Sequence, residues 1–564
     1  MGIGASNETS RFEAAIGLID EVPIHFENAN NVCQAGVLFL LPALLSQGLL
    51  KGKDIYKKIS KGYYGLVHIL LLLSYMALSR IKNPEQLRRH NPGEFGKIIG
   101  LDRVPEVSRL RIKLSEIATM NKAIDLSNAL ADYWIELDNQ IGGYFYVDGH
   151  VRVYHGDMSN RPKCHVSRQK LCLPATIDWW VNDWMGKPYF FSTGEVNEKL
   201  LQVLDDEIIP RLLNDLHASA SEEELQKNNL LPRFTIIFDR EGYSPKKWKE
   251  WWEKYRIAIV SYRKNVKDKW DESNFEKKDV IVAGKKQEMK LAEKVIDILE
   301  FKLREIRKLS DSGKQTAIYT TNFILTTEEL AGKMFSRWSQ ENFFRYMMHD
   351  YDIDHLIEYA HTPLSGDIKV VNPTYRECTK KIEKTRAKLK SKRSEFMKLC
   401  DDIMSEDLKQ TAKQIGKKAQ LHEGIEELKL IEQEQLSERK NHKQYITIDE
   451  MPEPEQYTKL DTEKKLFTEC IKMIAFRAET SMVNLLSEYY TKCLTEGRVL
   501  VKEIINSDAD LIPDYTNNTL TIKLHSLSTP RANKAVQNIC ITLNETETIY
   551  PTTNLRIIYK SVLC

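Results

Sequence analysis

Phe234-Thr235-Ile236-Ile237-Phe238 is an unbroken apolar and β-branched run that stops at Asp239. A strand of this kind must be buried on both faces. It therefore belongs inside a sheet with layers above and below. Pro245 follows shortly and suits the first turn of a helix over 245–254. Residues 257–262 (IAIVSY) repeat the buried-strand pattern. Upstream, 144–148 (YFYVD), 151–156 (VRVYHG) and 188–192 (PYFFS) read as three hairpin-like strands, and 196–217 as an amphipathic helix broken near Pro210. The resulting order is β-β-β-α-β-α-β.

That order matches a ribonuclease H-like core, in which the first strand lies beside the fourth. A carboxylate on the first strand and one ending the fourth then face one pocket. Asp148 and Asp239 hold those positions. A third acid arrives from a later helix, and Glu341 meets that requirement. Thr326-Thr327-Glu328-Glu329 is a capping box opening a helix that runs to about Met348 and carries Glu341. Three carboxylates suit phosphodiester chemistry with two Mg²⁺ ions, Mn²⁺ being a substitute, because hard cations take oxygen ligands and leave room for the phosphate. Singly, each acid has a plainer reading. Asp239 caps a turn, Asp148-Gly149 suits a hairpin turn, and Glu341 pairs with Arg337 or Arg345 along a helix.

The flanking residues carry a family resemblance. Phe238-Asp239-Arg240-Glu241-Gly242-Tyr243 resembles the second-aspartate motif of DDE transposases of bacterial insertion sequences. Arg337-Trp338-Ser339-Gln340-Glu341-Asn342-Phe343-Phe344-Arg345 resembles their glutamate helix, and 471–486 (IKMIAFRAETSMVNLL) is similar as well. In the subgroup with a β-rich insertion before that helix, a Tyr and a Lys flank the Arg and Glu. Met334 and Met348 stand there instead. The resemblance implies that Asp148, Asp239 and Glu341 are catalytic and hold the metal ions. It implies that Arg337 orients Glu341 or contacts a terminal phosphate, and that Arg240, Tyr243 and Arg345 lie against DNA. Trp270 would stack on an extruded base or pack within the insertion. The implied activity is binding of terminal inverted repeats, cleavage and strand transfer on double-stranded DNA by a homodimer or larger assembly. A nuclease without strand transfer and a decayed end-binding protein are the alternatives.

The chain has 564 residues, too many for one core. An α+β multidomain organisation is expected: a helical DNA-end-binding region (1–135), the core in two parts (136–262 and 319–365) split by a β-rich insertion (263–318), a coiled-coil arm (370–440) and a C-terminal helical and βαβ region (441–564). Within the insertion, Val280-Ile281-Val282 and the turn at Asp311-Ser312-Gly313-Lys314 are the β signals. In the arm, Ile382, Leu389, Phe396 and Ile403 recur every seven residues, but the second seam is poor. Residues 374–399 hold ten Lys or Arg against three Glu, and 423–438 hold six Glu against one Lys, so an antiparallel hairpin would pair them. The tail reads strand (519–525), helix (531–543), strand (554–559).

A net charge of +2 leaves DNA binding to local basic patches, such as Arg80, Lys82, Arg88 and Arg89. The nine cysteines include no CxxC pair, so Cys164, His165 and Cys172 near His155 make a poor zinc site and read as reduced thiols. The N-terminus shows no signal peptide. The apolar runs 35–50 and 66–78 fall short of a bilayer span and read as buried helices. Together these point to a cytoplasmic, nucleoid-associated protein without a membrane partner.

Overall fold

Burial on both faces is what Phe234–Phe238 demands, and the molecule is arranged around meeting it. A computed structural model describes residues 3–57, 59–138, 143–154, 163–166, 169–194, 198–216, 220–282, 284–354, 361–363, 369–403, 408–451 and 458–562. In chain order, strands are β1 (Ala29–Val32), β2 (Tyr144–Val153), β3 (Lys163–Val166), β4 (Leu171–Asn182), β5 (Pro188–Gly194), β6 (Phe234–Phe238), β7 (Ile257–Tyr262), β8 (Glu276–Val282), β9 (Lys285–Asp297), β10 (Lys302–Leu309) and β11 (Gln315–Thr320). All but β1 form one ten-stranded sheet ordered β3-β4-β2-β6-β7-β11-β10-β9-β8, with β5 beside β4. β6 is parallel to both neighbours, β2 and β7. The remaining pairs are antiparallel.

The two faces of β6 enter different cores. Phe234, Ile236 and Phe238 join the large core with Trp248 and Trp251 of the helix Pro245–Tyr255. Ile237 turns the other way, to Tyr146, Val260, Leu330 and Met334. Leu330 and Met334 belong to the helix Thr327–Phe335, opened by the expected capping box: Thr326 Oγ1 accepts the Glu329 N–H, and Glu329 Oε2 accepts the Thr326 N–H.

Three readings from sequence need correction, and one strand has no counterpart among them. First, β2 is one strand through Asp148-Gly149, not two strands with a turn. Gly149 is required there by close approach, since a Cβ would lie 2.5 Å from Trp179 Cζ3. Trp179 lies on β4, the strand without a counterpart, whose mixed sequence LCLPATIDWWVN has no clean alternation; its pairing with β2 and β5 makes it a strand. Second, the helix expected from Thr326 to Met348 is two helices, Thr327–Phe335 and Trp338–Tyr346. Ser336 Oγ bonds back to the Gly332 carbonyl at 2.7 Å, competing with the backbone ladder at the break. Third, the N-terminal region is not wholly helical. β1 is the edge of a sheet with Ala509–Asp514, Thr519–Leu524 and Arg556–Ser561, so the two ends of the chain meet.

Residues of the expected insertion do not stand apart from the core. β8 to β11 form a meander that continues the main sheet beyond β7. The helical segment before β6 passes through a π turn, Leu204–Ile208, just ahead of Pro210, which has no N–H to donate. The helix Leu66–Leu78 is buried at every residue, and its principal neighbour is the helix Glu463–Leu486. Among the described residues, no helix is long and apolar enough to cross a membrane. The helices Pro373–Ile403 and Leu408–Lys440 form an antiparallel hairpin. Arg386 of the basic first arm pairs with Glu432 of the acidic stretch at 2.6 Å, while Lys417 and Glu395 pair at 3.3 Å in the opposite sense.

Candidate active site

β2 and β6 run parallel with Tyr146 opposite Ile237. Two residues further on, Asp148 and Asp239 therefore come to the same edge of the sheet. Asp239 ends its strand because its Oδ1 accepts the Arg240 N–H at 2.7 Å, capping a single 3-10 turn, Arg240–Gly242. The break between the two later helices puts Arg337 above this edge. Its Nη1 donates to Asp148 Oδ2 at 3.0 Å, and its Nη2 to Asp239 Oδ2 at 3.4 Å. Arg337 thus bridges two adjacent strands. Glu341, four residues on, lies in the first turn of Trp338–Tyr346, one helical turn from Arg337 on the same side.

Burial is the dominant electrostatic influence at the site, and neighbouring carboxylates add to it. Burial pushes the Asp148 carboxyl above the ordinary aspartate value; Arg337 and the Gly149 N–H oppose this, while Asp239 and Glu341 add to it. The Glu241 carboxyl is raised in the same way by burial and by Asp148 and Asp239. Burial also raises the Tyr262 hydroxyl, which senses Arg337, Asp239, Arg240 and Glu341. Four carboxylates share one field, and Arg337 is the cation between two of them.

The donor chemistry fits a hard cation, since carboxylate oxygens are what Mg²⁺ takes. The spacing is looser than a ligand shell. Among the described residues, no three His, Cys, Asp or Glu side chains gather closely enough to hold one ion. The Arg337 guanidinium occupies the space between the two aspartates.

Other sequence candidates fall around this centre. Arg240 is exposed, its guanidinium 5.7 Å from the Tyr262 ring. Tyr243 is half-buried, edge-on to Trp248 at 5.3 Å. Arg345 is exposed on the glutamate helix. Trp270 is packed, with Arg307 4.3 Å and Lys294 4.6 Å from its ring, and its backbone is bonded to Gln315. Met334 is buried against Ile237, and Met348 packs on the large core. His150 stacks on Phe344 and bonds Asp354 at 2.6 Å, while His155 lies outside the described residues.

Two features escaped sequence reasoning. Glu241 sits inside the quoted motif and joins the acidic field. Gln340, fully buried, bonds Asn182 Nδ2 at 2.6 Å and donates to the Asp183 carbonyl at 2.9 Å, pinning the glutamate helix to the end of β4. Its position beside Glu341 was the available signal: a polar residue on the inward face of an amphipathic helix.

No curated protein matches the chain. One solved structure, a cryo-EM piggyBac transposase synaptic complex with hairpin DNA, is similar at 11% identity and a TM-score of 0.32, covering 54% of this chain and 68% of that one. The family model described as "Transposase protein" matches residues 2–563. That match spans nearly every residue, and the chain belongs to this transposase family.

Proposed function

We propose that the protein is a DDE-type DNA transposase that binds the terminal inverted repeats of its element, cuts at their ends and joins the freed 3′-hydroxyls to target DNA. One observation carries this reading: Arg337 joins Asp148 and Asp239 across neighbouring parallel strands, with Glu341 a turn away. Acids so far apart in sequence converge only because β2 lies beside β6. The order β5-β4-β2-β6-β7, antiparallel then parallel, supports a ribonuclease H-like core.

Asp148, Asp239 and Glu341 would hold two Mg²⁺ ions, with Mn²⁺ as a substitute. Bound there, they would supply Lewis-acid activation of the attacking oxygen and charge stabilisation of the leaving one. The protein's part is positioning. Gly149 lets β2 approach Trp179, fixing the backbone that carries Asp148. Gln340 fixes the helix of Glu341. Arg337 is the aspartates' counter-charge before cation and DNA arrive, and afterwards is free to contact the phosphate. Arg240, Tyr243 and Arg345 offer further contacts to the DNA backbone, whereas Trp270 is committed to packing. Two DNA ends must be held together, so a dimer or larger assembly acting on chromosomal DNA is expected. The joined body made by the two ends of the chain is the candidate for end binding and pairing.

The test is strand transfer with a pre-cleaved end. Joined product with Mg²⁺, lost in Asp239→Ala, supports the proposal. Cutting without joining would make the protein a nuclease instead.

A further inference from the structure

Beside the carboxylates, a groove of about 650 Å³ runs between the segment after β7 and the β10–β11 turn. Its walls carry Arg240, Arg263, Lys267, Lys269 and Lys314. One acid lines it, Asp268, and that carboxylate is engaged by Arg263 and Arg307. Among the described residues, no carboxylate pairs with Arg240, Lys267, Lys269 or Lys314. Three lysines of the neighbouring hairpin β8–β9 behave differently. Lys277 pairs with Glu288, Lys286 with Asp279, and Lys278 with Glu328. Lys285 and Lys290 of that hairpin have no such partner among the described residues, so what sets the groove apart is that its unpaired cations converge on one concavity. Crowded like charges without partners destabilise a fold unless an anion offsets them.

The groove is also held firmly. Arg307, fully buried, bonds Glu305 at 2.7 Å and the Asp268 carbonyl at 2.8 Å, and Gln315 bonds the Trp270 backbone in both directions. This is the packing that occupies Trp270. Gly313, at φ +74°, turns the far wall, and Lys314 follows it. Arg240 stands at the near end, next to Asp239.

We propose that this groove is a track for the DNA phosphate backbone, leading from the carboxylates along the β-meander and reading no sequence. The inference rests on the transposase reading and extends it to residues that carry no motif. Lysines on a rigid concave wall suit this role, since they neutralise phosphates as point charges and release counterions.

The test is the salt dependence of DNA binding by the full chain, with a fluorescent duplex of arbitrary sequence. The combined Lys267→Ala, Lys269→Ala, Lys314→Ala variant should weaken binding equally for matched and scrambled duplexes. Its log–log salt slope should be shallower by about 3, one for each phosphate that the three lysines neutralise. A control removing the same charge from the outer hairpin, Lys277→Ala, Lys285→Ala, Lys286→Ala, should leave the slope unchanged. An unchanged slope in the groove variant, with wild-type cleavage intact, overturns the track and points to another anionic partner. Equal losses in groove and control variants also overturn it, because general charge would then explain the binding. If wild type neither binds nor cleaves DNA, the transposase reading fails first and takes the track with it.

Discussion

Arg337→Gln removes the cation between Asp148 and Asp239 while keeping a polar side chain of similar length. The Arg337–Asp148 pair is well shielded, with side chains 14% and 25% exposed. A hydrogen bond between charged groups of that kind contributes about 1.5–3 kcal/mol. The Asp239 side chain is 47% exposed and its bond is longer, so that pair adds only about 0.2–1 kcal/mol. The variant should lose about 2–3 kcal/mol at neutral pH, which for a 564-residue chain unfolding as one unit lowers the melting midpoint by roughly 2–3 °C. The loss should depend on pH. Asp148 already titrates above its ordinary value, and Arg337 is the first influence holding it down. Without Arg337 it rises further. A carboxyl raised in the folded state favours folding when protonated; that contribution is complete below the unfolded value and is lost as pH rises through the folded one. Wild type and variant should therefore converge as pH falls below the ordinary aspartate value and diverge towards neutrality. Millimolar Mg²⁺ should restore more stability to the variant than to wild type, because the cation replaces the missing charge. Scanning fluorimetry across pH, with and without Mg²⁺, reads all three effects. A gap equal at acid and neutral pH, or no gap, would refute the argument.

Two further outcomes follow from packing. Gly149→Ala drives a methyl into the Trp179 ring and should cost about 1–3 kcal/mol, with loss of cleavage because Asp148 is the adjacent residue; normal stability and activity would mean that the close approach is unimportant. Gln340→Leu leaves Asn182 Nδ2 and the Asp183 carbonyl without their partner, costing about 1–3 kcal/mol. Its cleavage rate should fall while DNA affinity holds, and a matching loss of affinity would contradict a role in holding Glu341.

The convergence of Asp148 and Asp239 was more legible than the fold around it. Phe234–Phe238 announced a buried strand because burial on both faces leaves no polar position, and its end marked Asp239. The Thr326–Glu329 cap was legible because it is a local pairing. What escaped depends on distant partners. β9, KKQEMKLAEKVID, has the composition of a helix, yet it is held as a strand by its neighbours and by cross-strand pairs such as Arg304–Glu293 and Lys277–Glu288. Ala29–Val32 becomes a strand because a sheet edge nearly 480 residues later accepts it. The break at Ser336 is invisible to periodicity, since both helices keep apolar residues inward. That break is what lowers Arg337 onto the aspartates, so the partner expected for Arg337 from sequence, Glu341, is replaced by Asp148 and Asp239.

The central claim, that these acids form one reaction centre, is tested most directly by strand transfer from a pre-cleaved transposon end with purified full-length protein and Mg²⁺. Joined product should appear with wild type and disappear in Asp148→Asn, Asp239→Asn and Glu341→Gln, each still binding the DNA end. Undiminished joining by any of the three would contradict the account.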